Sequence, residues 1–395
     1  MQNRILVINC GSTTIKFQLI DTEHRTALVK GSVDRLGRAD CEAKIAYLYK
    51  NEPSTAKSLG HASHQDALAW MFNALPQELK PTAVGHRVVH GGNFFDQAVQ
   101  IDERVLANIA ASSSLAPLHN PIQLEGIRAS QTLHPEIPHF ASFDTAFHQS
   151  KPLVHRMVPL PAQVVQTYGY RKFGFHGASH RYVSRRAAAL LGRDIRDLRL
   201  VTCHLGGGSS VTAVQGGMAV DTSATYGTFT GMPMGSRSGD IDAGIILDLL
   251  MEKGKTPQEV YNMLYKESGL LGISGVSADM AELERLEAEG HQGAQLAREY
   301  YAYSLKKFIG AFAAVMNGID GIVFTAGIGE HDAPLRYRVC KDLAWMGLQI
   351  DEVLNRQIRG EGFISAAGSA VAALVIPTNE ELAIALEIEE LLPNT

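Results

Sequence analysis

One device occurs twice in this chain: a short apolar run, a turn of Gly, Ser and Thr, and a second apolar run. Arg4-Ile-Leu-Val-Ile8 leads through Asn9-Cys-Gly-Ser-Thr-Thr14 into Ile15-Lys-Phe-Gln-Leu-Ile20. Far down the chain, Leu200-Val-Thr-Cys-His-Leu205 leads through Gly206-Gly-Gly-Ser-Ser210 into Val211-Thr-Ala-Val214. β-Branched runs separated by turn residues read as strands, so each copy is a hairpin. An echo at this distance points to duplicated domains, because solenoid repeats recur every ~20–50 residues. Length agrees: at 395 residues the chain exceeds the ~250–300 that one hydrophobic core supports.

Apolar residues three and four apart predict helices over 67–79, 181–191, 245–253, 292–316 and 380–392. Strands are expected at His139–Phe143, Gly321–Thr325 and Ala370–Ile376. Strands mixed with helices, several ending in Gly or Asp, indicate an α/β protein with mixed sheets flanked by helices and loops gathered at strand ends. Residues 50–63 read as a surface loop. The domain boundary is placed near Thr145, giving an N-terminal domain over 1–145, with 380–395 packing back on it, and a C-terminal domain over 146–379. The row Tyr300, Tyr301, Leu305, Phe308 and Phe312 has the spacing of a helix face, read as core rather than interface.

A net charge of −5 and a pI near 6.3 give no cationic surplus of the kind that nucleic acid or anionic membrane attracts. The partner should be small. No apolar run approaches the ~20 residues of a spanning helix, and the start is too short for a secretory signal, so the cytoplasm is expected. Cys10, Cys41, Cys203 and Cys340 are far apart, which fits reduced thiols better than a zinc ribbon or dithiol site.

Each Gly/Ser/Thr turn can aim N–H groups and hydroxyls at phosphate, although ordinary hairpin turns use the same residues. Gly254-Lys-Thr256 lacks the glycine a Walker loop needs, and no Gly-x-Gly-x-x-Gly follows a strand. Five further segments crowd charged and ring-bearing residues beside Gly or Pro. They are His86-Arg-Val-Val-His-Gly-Gly92, Ala116-Pro-Leu-His-Asn-Pro121, Phe143-Asp-Thr-Ala-Phe-His-Gln149, Phe173-Gly-Phe-His-Gly-Ala-Ser-His180 and Met234-Gly-Ser-Arg-Ser-Gly-Asp-Ile-Asp242. Together they offer arginines for anions, carboxylates for a metal and imidazole donors, the set that phosphoryl transfer uses. Singly, Arg87 also suits a surface ion pair, Asp144 a helix cap and His119 a buried core position. His176 and His180 have a zinc-pair spacing but lack the intervening Glu. Arg171, Lys172, Arg181, Arg185 and Arg186 read as a solvated basic helix face.

In order, these segments resemble the acetate kinase family, of the sugar kinase, actin and chaperone-ATPase superfamily. The resemblance runs from Val7-Ile-Asn-Cys-Gly-Ser-Thr-Thr-Ile-Lys16 to Ile376-Pro-Thr-Asn-Glu-Glu-Leu382. Its most specific motifs are Asn-x-Gly-Ser-x-x-x-Lys and Gly-x-Arg-Ser-Gly-Asp-Ile-Asp. It implies two duplicated actin-like (ribonuclease H-like) domains, an active site in the cleft between them, and reversible transfer of the ATP γ-phosphoryl group to acetate, giving acetyl phosphate and ADP. By the same resemblance Ser12, Thr14 and Lys16 form a first phosphate loop with Asn9. Asn9, Asp144 and Glu380 would serve magnesium or manganese. Arg87, Arg237 and His176 would surround the transferring phosphoryl group, with Asp144 also catalytic. His119 and His204 would lie near the phosphate, and the nucleotide along Gly206, Gly207, Gly208, Ser209, Gly327, Ile328, Gly329 and Glu330. Arg87, Val89, Leu118 and Phe175 would hold the acid. Asp144 and Glu380 would join the two domains at the metal, and the chain would form a homodimer through its second domain.

The chemistry is coherent, since a carboxylate is ionised at neutral pH and attacks without a general base. Two departures stand out. Gly207 replaces the family's usual Asn, removing a nucleotide contact, and Thr228 stands where a Pro usually lines the acyl pocket. Alternatives are propionate or butyrate as acceptor, pyrophosphate as donor, a regulatory ATPase without kinase activity, and a decayed relative.

Overall fold

The computed structural model describes residues 3–47 and 55–392, which divide into two compact units, one of 3–47, 55–147 and 379–392 and the other of 148–378. The first unit is built on an eight-stranded sheet of β1 (Arg4–Cys10), β2 (Thr14–Asp21), β3 (Thr26–Asp34), β4 (Cys41–Tyr47), β5 (Thr55–Gly60), β6 (Ala83–Val88), β7 (Val99–Gln100) and β8 (His139–Phe143). Their order is β5-β4-β3-β2-β1-β6-β8-β7. The second unit carries β9 (Arg199–Leu205), β10 (Ser209–Gln215), β11 (Met218–Thr222), β12 (Gly321–Thr325), β13 (Gly362–Phe363) and β14 (Ala372–Val375). These run β11-β10-β9-β12-β14-β13.

The duplication is visible in the pairing. In each sheet consecutive strands form an antiparallel meander, β1 to β5 in the first and β9 to β11 in the second, and the first strand of each is followed outward by two parallel neighbours: β1 by β6 and β8, β9 by β12 and β14. That shared order is the actin-like arrangement, and it aligns β1-turn-β2 with β9-turn-β10. Parallel strands are covered on both faces and read as continuous apolar runs, which is why Ile5–Ile8, Val201–Leu205 and Ile322–Phe324 are buried. Helix 380–389 packs onto the first sheet closely enough that a Cβ on Gly85 would lie 2.4 Å from Ile388 Cδ1.

Some boundaries differ from expectation. Residues 55–60 of the presumed surface loop are strand β5, which pairs with β4, and Ser63 caps the helix His64–Ala74 through a capping box with Asp66; residues 50–54 lie outside the described residues. Ser209 and Ser210 belong to β10 rather than to a turn. The helix expected over 181–191 starts earlier, at Gly177, because His176 in a left-handed conformation (φ 57°) supplies its N-terminal boundary. Helix Gln292–Val315 buries Tyr301, Leu305 and Phe312 in the second core, as its spacing predicts, and leaves Tyr300 exposed.

Candidate active site

Parallel strands deliver their carboxyl ends to one edge of a sheet, where loops carry function. In the first unit Asn9 lies near the end of β1, Arg87 near the end of β6, and Asp144 directly after β8. Arg87 binds Asp144 with two parallel bonds, Nε to Oδ1 at 2.8 Å and Nη2 to Oδ2 at 2.7 Å, and its Nε lies 3.6 Å from Glu380 Oε2. Burial opposes the charge on Arg87, but Asp144 and Glu380 outweigh it and hold the guanidinium above its usual value. Burial pushes the Asp144 carboxyl up, against the pull of Arg87. One guanidinium thus faces two carboxylates, a cluster with net negative charge and hard oxygen donors, which fits a magnesium-type cation. Both Asp144 oxygens are taken by Arg87 and its side chain is 4 % exposed, whereas Glu380 is 19 % exposed. Glu380 is thus the more exposed of the two carboxylates. Asp144 and Glu380 belong to the same unit, so the expectation that they join two domains at the metal is corrected; helix 380–389 returns to the first sheet because its apolar side packs there.

Of the acyl-pocket candidates, Val89 is buried with its N–H donated to Gln123 Oε1 (3.0 Å), Phe175 is buried, and Leu118 is half-exposed. In the first hairpin Asn9 and Lys16 are cross-strand partners, and Gly11 N–H closes the turn on Thr14 O at 2.7 Å, leaving Ser12 exposed at the tip.

The second unit holds a chain of imidazoles and hydroxyls. His176 Nδ1 and His180 Nε2 both meet Ser210 Oγ, at 2.8 and 2.7 Å, and His180 Nδ1 meets Thr202 Oγ1 at 2.8 Å. Thr202 donates its own proton to Thr212 O, so it accepts from His180 Nδ1. Burial, with His148 and His204 nearby, pulls His180 well below its ordinary value, so it is neutral and its Nε2 accepts from Ser210. Ser210 Oγ then accepts from His176 Nδ1–H. The pattern assigns His176 a tautomer whose Nε2 carries a proton only when the ring is an imidazolium. That Nε2 faces the glycine loop: a Cβ on Gly208 would sit 3.2 Å from it. His204 stacks on His176 with ring centroids 4.2 Å apart and bonds Ser179 Oγ at 2.8 Å.

Beside the loop lies a cavity of about 340 Å³ lined by Gly206, Gly207, Met280, Gly327 and Ile328 among others, a size that suits a small ligand. Arg298, fully buried, fixes its floor through Asp332 (2.8 and 3.0 Å), Glu287 (2.6 Å) and Met280 O (3.3 Å). Glu330 Oε1 accepts from Thr378 N–H at 3.3 Å. Arg237 donates to Thr228 O at 2.8 Å and forms no ion pair with a carboxylate among the described residues. Burial lowers its pKa, which leaves a partly desolvated cation suited to an anionic ligand.

Ser209 is fully buried and its Oγ meets Tyr301 Oη at 2.8 Å, so its hydroxyl supports the loop from beneath. The basic helix face is also corrected, because Arg171 and Lys172 precede the helix in a partly buried loop and Arg186 pairs with Glu361. Ser210 belongs to the stretch expected along the nucleotide, but its link to His180 has no counterpart in the sequence reading. The register of β9 and β10 pairs Ser210 with His204, and that alternation was the signal available.

The chain matches the acetokinase family over residues 4–386. It belongs to that family. It is 44 % identical over 391 residues to the acetate kinase of Geobacillus kaustophilus, covering 98 % of this chain and 99 % of the relative. The crystal structure of Porphyromonas gingivalis acetate kinase superimposes with a TM-score of 0.91 at 37 % identity, over 98 % of this chain and 99 % of that one. A propionate kinase from Francisella tularensis gives 0.91 at 39 %, over 98 % of each. Among the described residues no helix is long and apolar enough to cross a membrane.

Proposed function

We propose that this chain is an acetate kinase, transferring the γ-phosphoryl group of ATP to acetate with Arg87, Arg237 and His176 as its charge-neutralising groups. The observation that carries the reading is that His176 Nε2 lies beside Gly208, so that the imidazole and the glycine loop share one place. The acid arrives ionised, so one of its oxygens attacks phosphorus in line without a base. Arg87 keeps Nη1 clear of its bonds to Asp144 and offers it to the acid or the phosphoryl oxygens. His176, protonated as the phosphoryl dianion approaches, donates from Nε2, and Arg237 neutralises charge from its half-buried position. Losing one such donor typically costs about a hundredfold to a thousandfold in rate. Glu380, Asp144 and Asn9 would hold magnesium, which would supply further charge neutralisation.

Lys16, Ser12 and Thr14 serve the phosphates from the first hairpin, with His119 and His204 near them. Gly206 to Gly208, Gly327, Ile328, Gly329 and Glu330 serve the nucleotide, whose adenosine fits the cavity. The intact Ala326-Gly-Ile-Gly-Glu330 segment favours ATP over pyrophosphate, and Val89 favours a short alkyl tail. The cytoplasm is the matching compartment. A homodimer is supported by helix Ala243–Met251, which has no buried residue and exposes Ile245, Leu247 and Met251 by 49, 56 and 73 %.

Hydroxylamine trapping of acyl phosphate across acetate, propionate and butyrate, with ATP or pyrophosphate as donor, tests the assignment. A maximum with acetate and ATP is expected; a maximum with propionate would name that acid instead, and no hydroxamate with any pair would overturn the kinase reading.

A further inference from the structure

His176 and Phe175 sit on a loop with two left-handed residues, Gly174 (φ 108°), which glycine adopts without strain, and His176 (φ 57°), which is strained. Non-glycine residues hold such a conformation only where their surroundings over-determine it. Two side chains three residues apart do so. His148 Nε2, fully buried, meets Phe175 O at 2.8 Å. Lys151 Nζ donates to Phe173 O at 2.8 Å and Lys172 O at 3.1 Å. Lys151 is 2 % exposed, and among the described residues no carboxylate pairs with it. A buried ammonium without a carboxylate is an expensive way to fill space. Its chemistry here is to grip two successive carbonyls just ahead of the strained turn. Gly174 packs against His148 so closely that a Cβ there would lie 2.4 Å from the ring.

We infer that Lys151 is a positioning residue for the phosphoryl-transfer step, clamping the loop 172–176 so that His176 Nε2 and the Phe175 side chain keep their places. The inference rests on the proposed role of His176. The clamp is strongest while Lys151 is charged, because hydrogen bonds from a cation are stronger than neutral ones. Burial brings the ammonium down to about 7, with Arg171, Lys172 and Arg156 pushing the same way and Asp221 of β11 opposing them. His148, which burial pulls down to about 3, is neutral beside it. The clamp therefore weakens as pH rises through about 7.

The test is steady-state kinetics of acyl-phosphate formation by wild type, Lys151→Met and Lys151→Arg. Methionine fills the space without charge, so relief of the buried ammonium offsets the loss of its two bonds and the variant is expected to stay folded, checked by its melting temperature. Its kcat should fall about tenfold or more, since small misplacement of a reacting group is costly, with an altered acid KM and an unchanged KM for ATP. Lys151→Arg should restore most of kcat and move the alkaline fall in activity to higher pH. Wild-type kcat in a folded Lys151→Met would overturn the inference. Should that variant not fold, an alkaline arm in Lys151→Arg identical to wild type would overturn it, and a shifted arm would support it. An inactive wild type would instead defeat the kinase reading.

Discussion

Replacing Arg87 by Met removes the partner of a carboxylate that is almost wholly enclosed. Arg87 holds Asp144 by two bonds at 2.8 and 2.7 Å, and Asp144 is 4 % exposed. Breaking a buried pair from one side leaves an uncompensated charge and typically costs about 3–5 kcal/mol. Met keeps most of the stem volume, so little of that loss is packing. The double variant Arg87→Met/Asp144→Leu removes the stranded charge too and should cost less than about 2 kcal/mol, because apolar replacement of a buried pair is often neutral. Urea unfolding of the wild type, both single variants and the double variant gives the cycle. The gap between Arg87→Met and wild type also depends on pH. Burial raises the Asp144 carboxyl, and without Arg87 nothing from that residue pulls it back. A carboxyl raised in the folded state contributes stability below its unfolded value of ~4 and loses it as pH rises through the folded value. The deficit should be full at neutral pH and shrink toward acid. Arg87→Met within about 1 kcal/mol of wild type at neutral pH would refute the buried-pair argument.

Glu380→Gln should fold normally and need far more magnesium for half-maximal activity, read from a magnesium titration of acyl-phosphate formation; an unchanged titration would remove Glu380 from the metal's ligands. Leu247→Glu with Ile245→Glu, on the exposed helix Ala243–Met251, should convert a dimer to a monomer in light scattering, and a wild type that is itself monomeric would end the dimer proposal.

Much of this architecture was legible because buried parallel strands leave a strong trace. His139–Phe143 and Gly321–Thr325 occupy the strand ranges that their apolar runs mark. The edge was harder: β5, Thr55–Gly60, mixes small, polar and charged residues and owes its form to pairing with β4. Helix 177–191 was cut short because Gly177 and His180 look unhelical, whereas a left-handed His176 starts it and Thr202 and Ser210 satisfy the buried His180. The arginine and carboxylate candidates came from motif order, but pairing Arg87 with both Asp144 and Glu380 required the return of the last helix to the first sheet. Lys151 carried no signal in the sequence. Its neighbours on the loop 172–176 are distant in number, and only the fold shows that its ammonium ends on their carbonyls.

The most direct test of the central claim is ³¹P NMR of the wild-type protein with ATP, magnesium and acetate. Acetyl phosphate and ADP should appear in equal amounts, with inorganic phosphate growing only as the acyl phosphate decays. Inorganic phosphate released from the start without acetyl phosphate, or no turnover of ATP at all, would contradict the account.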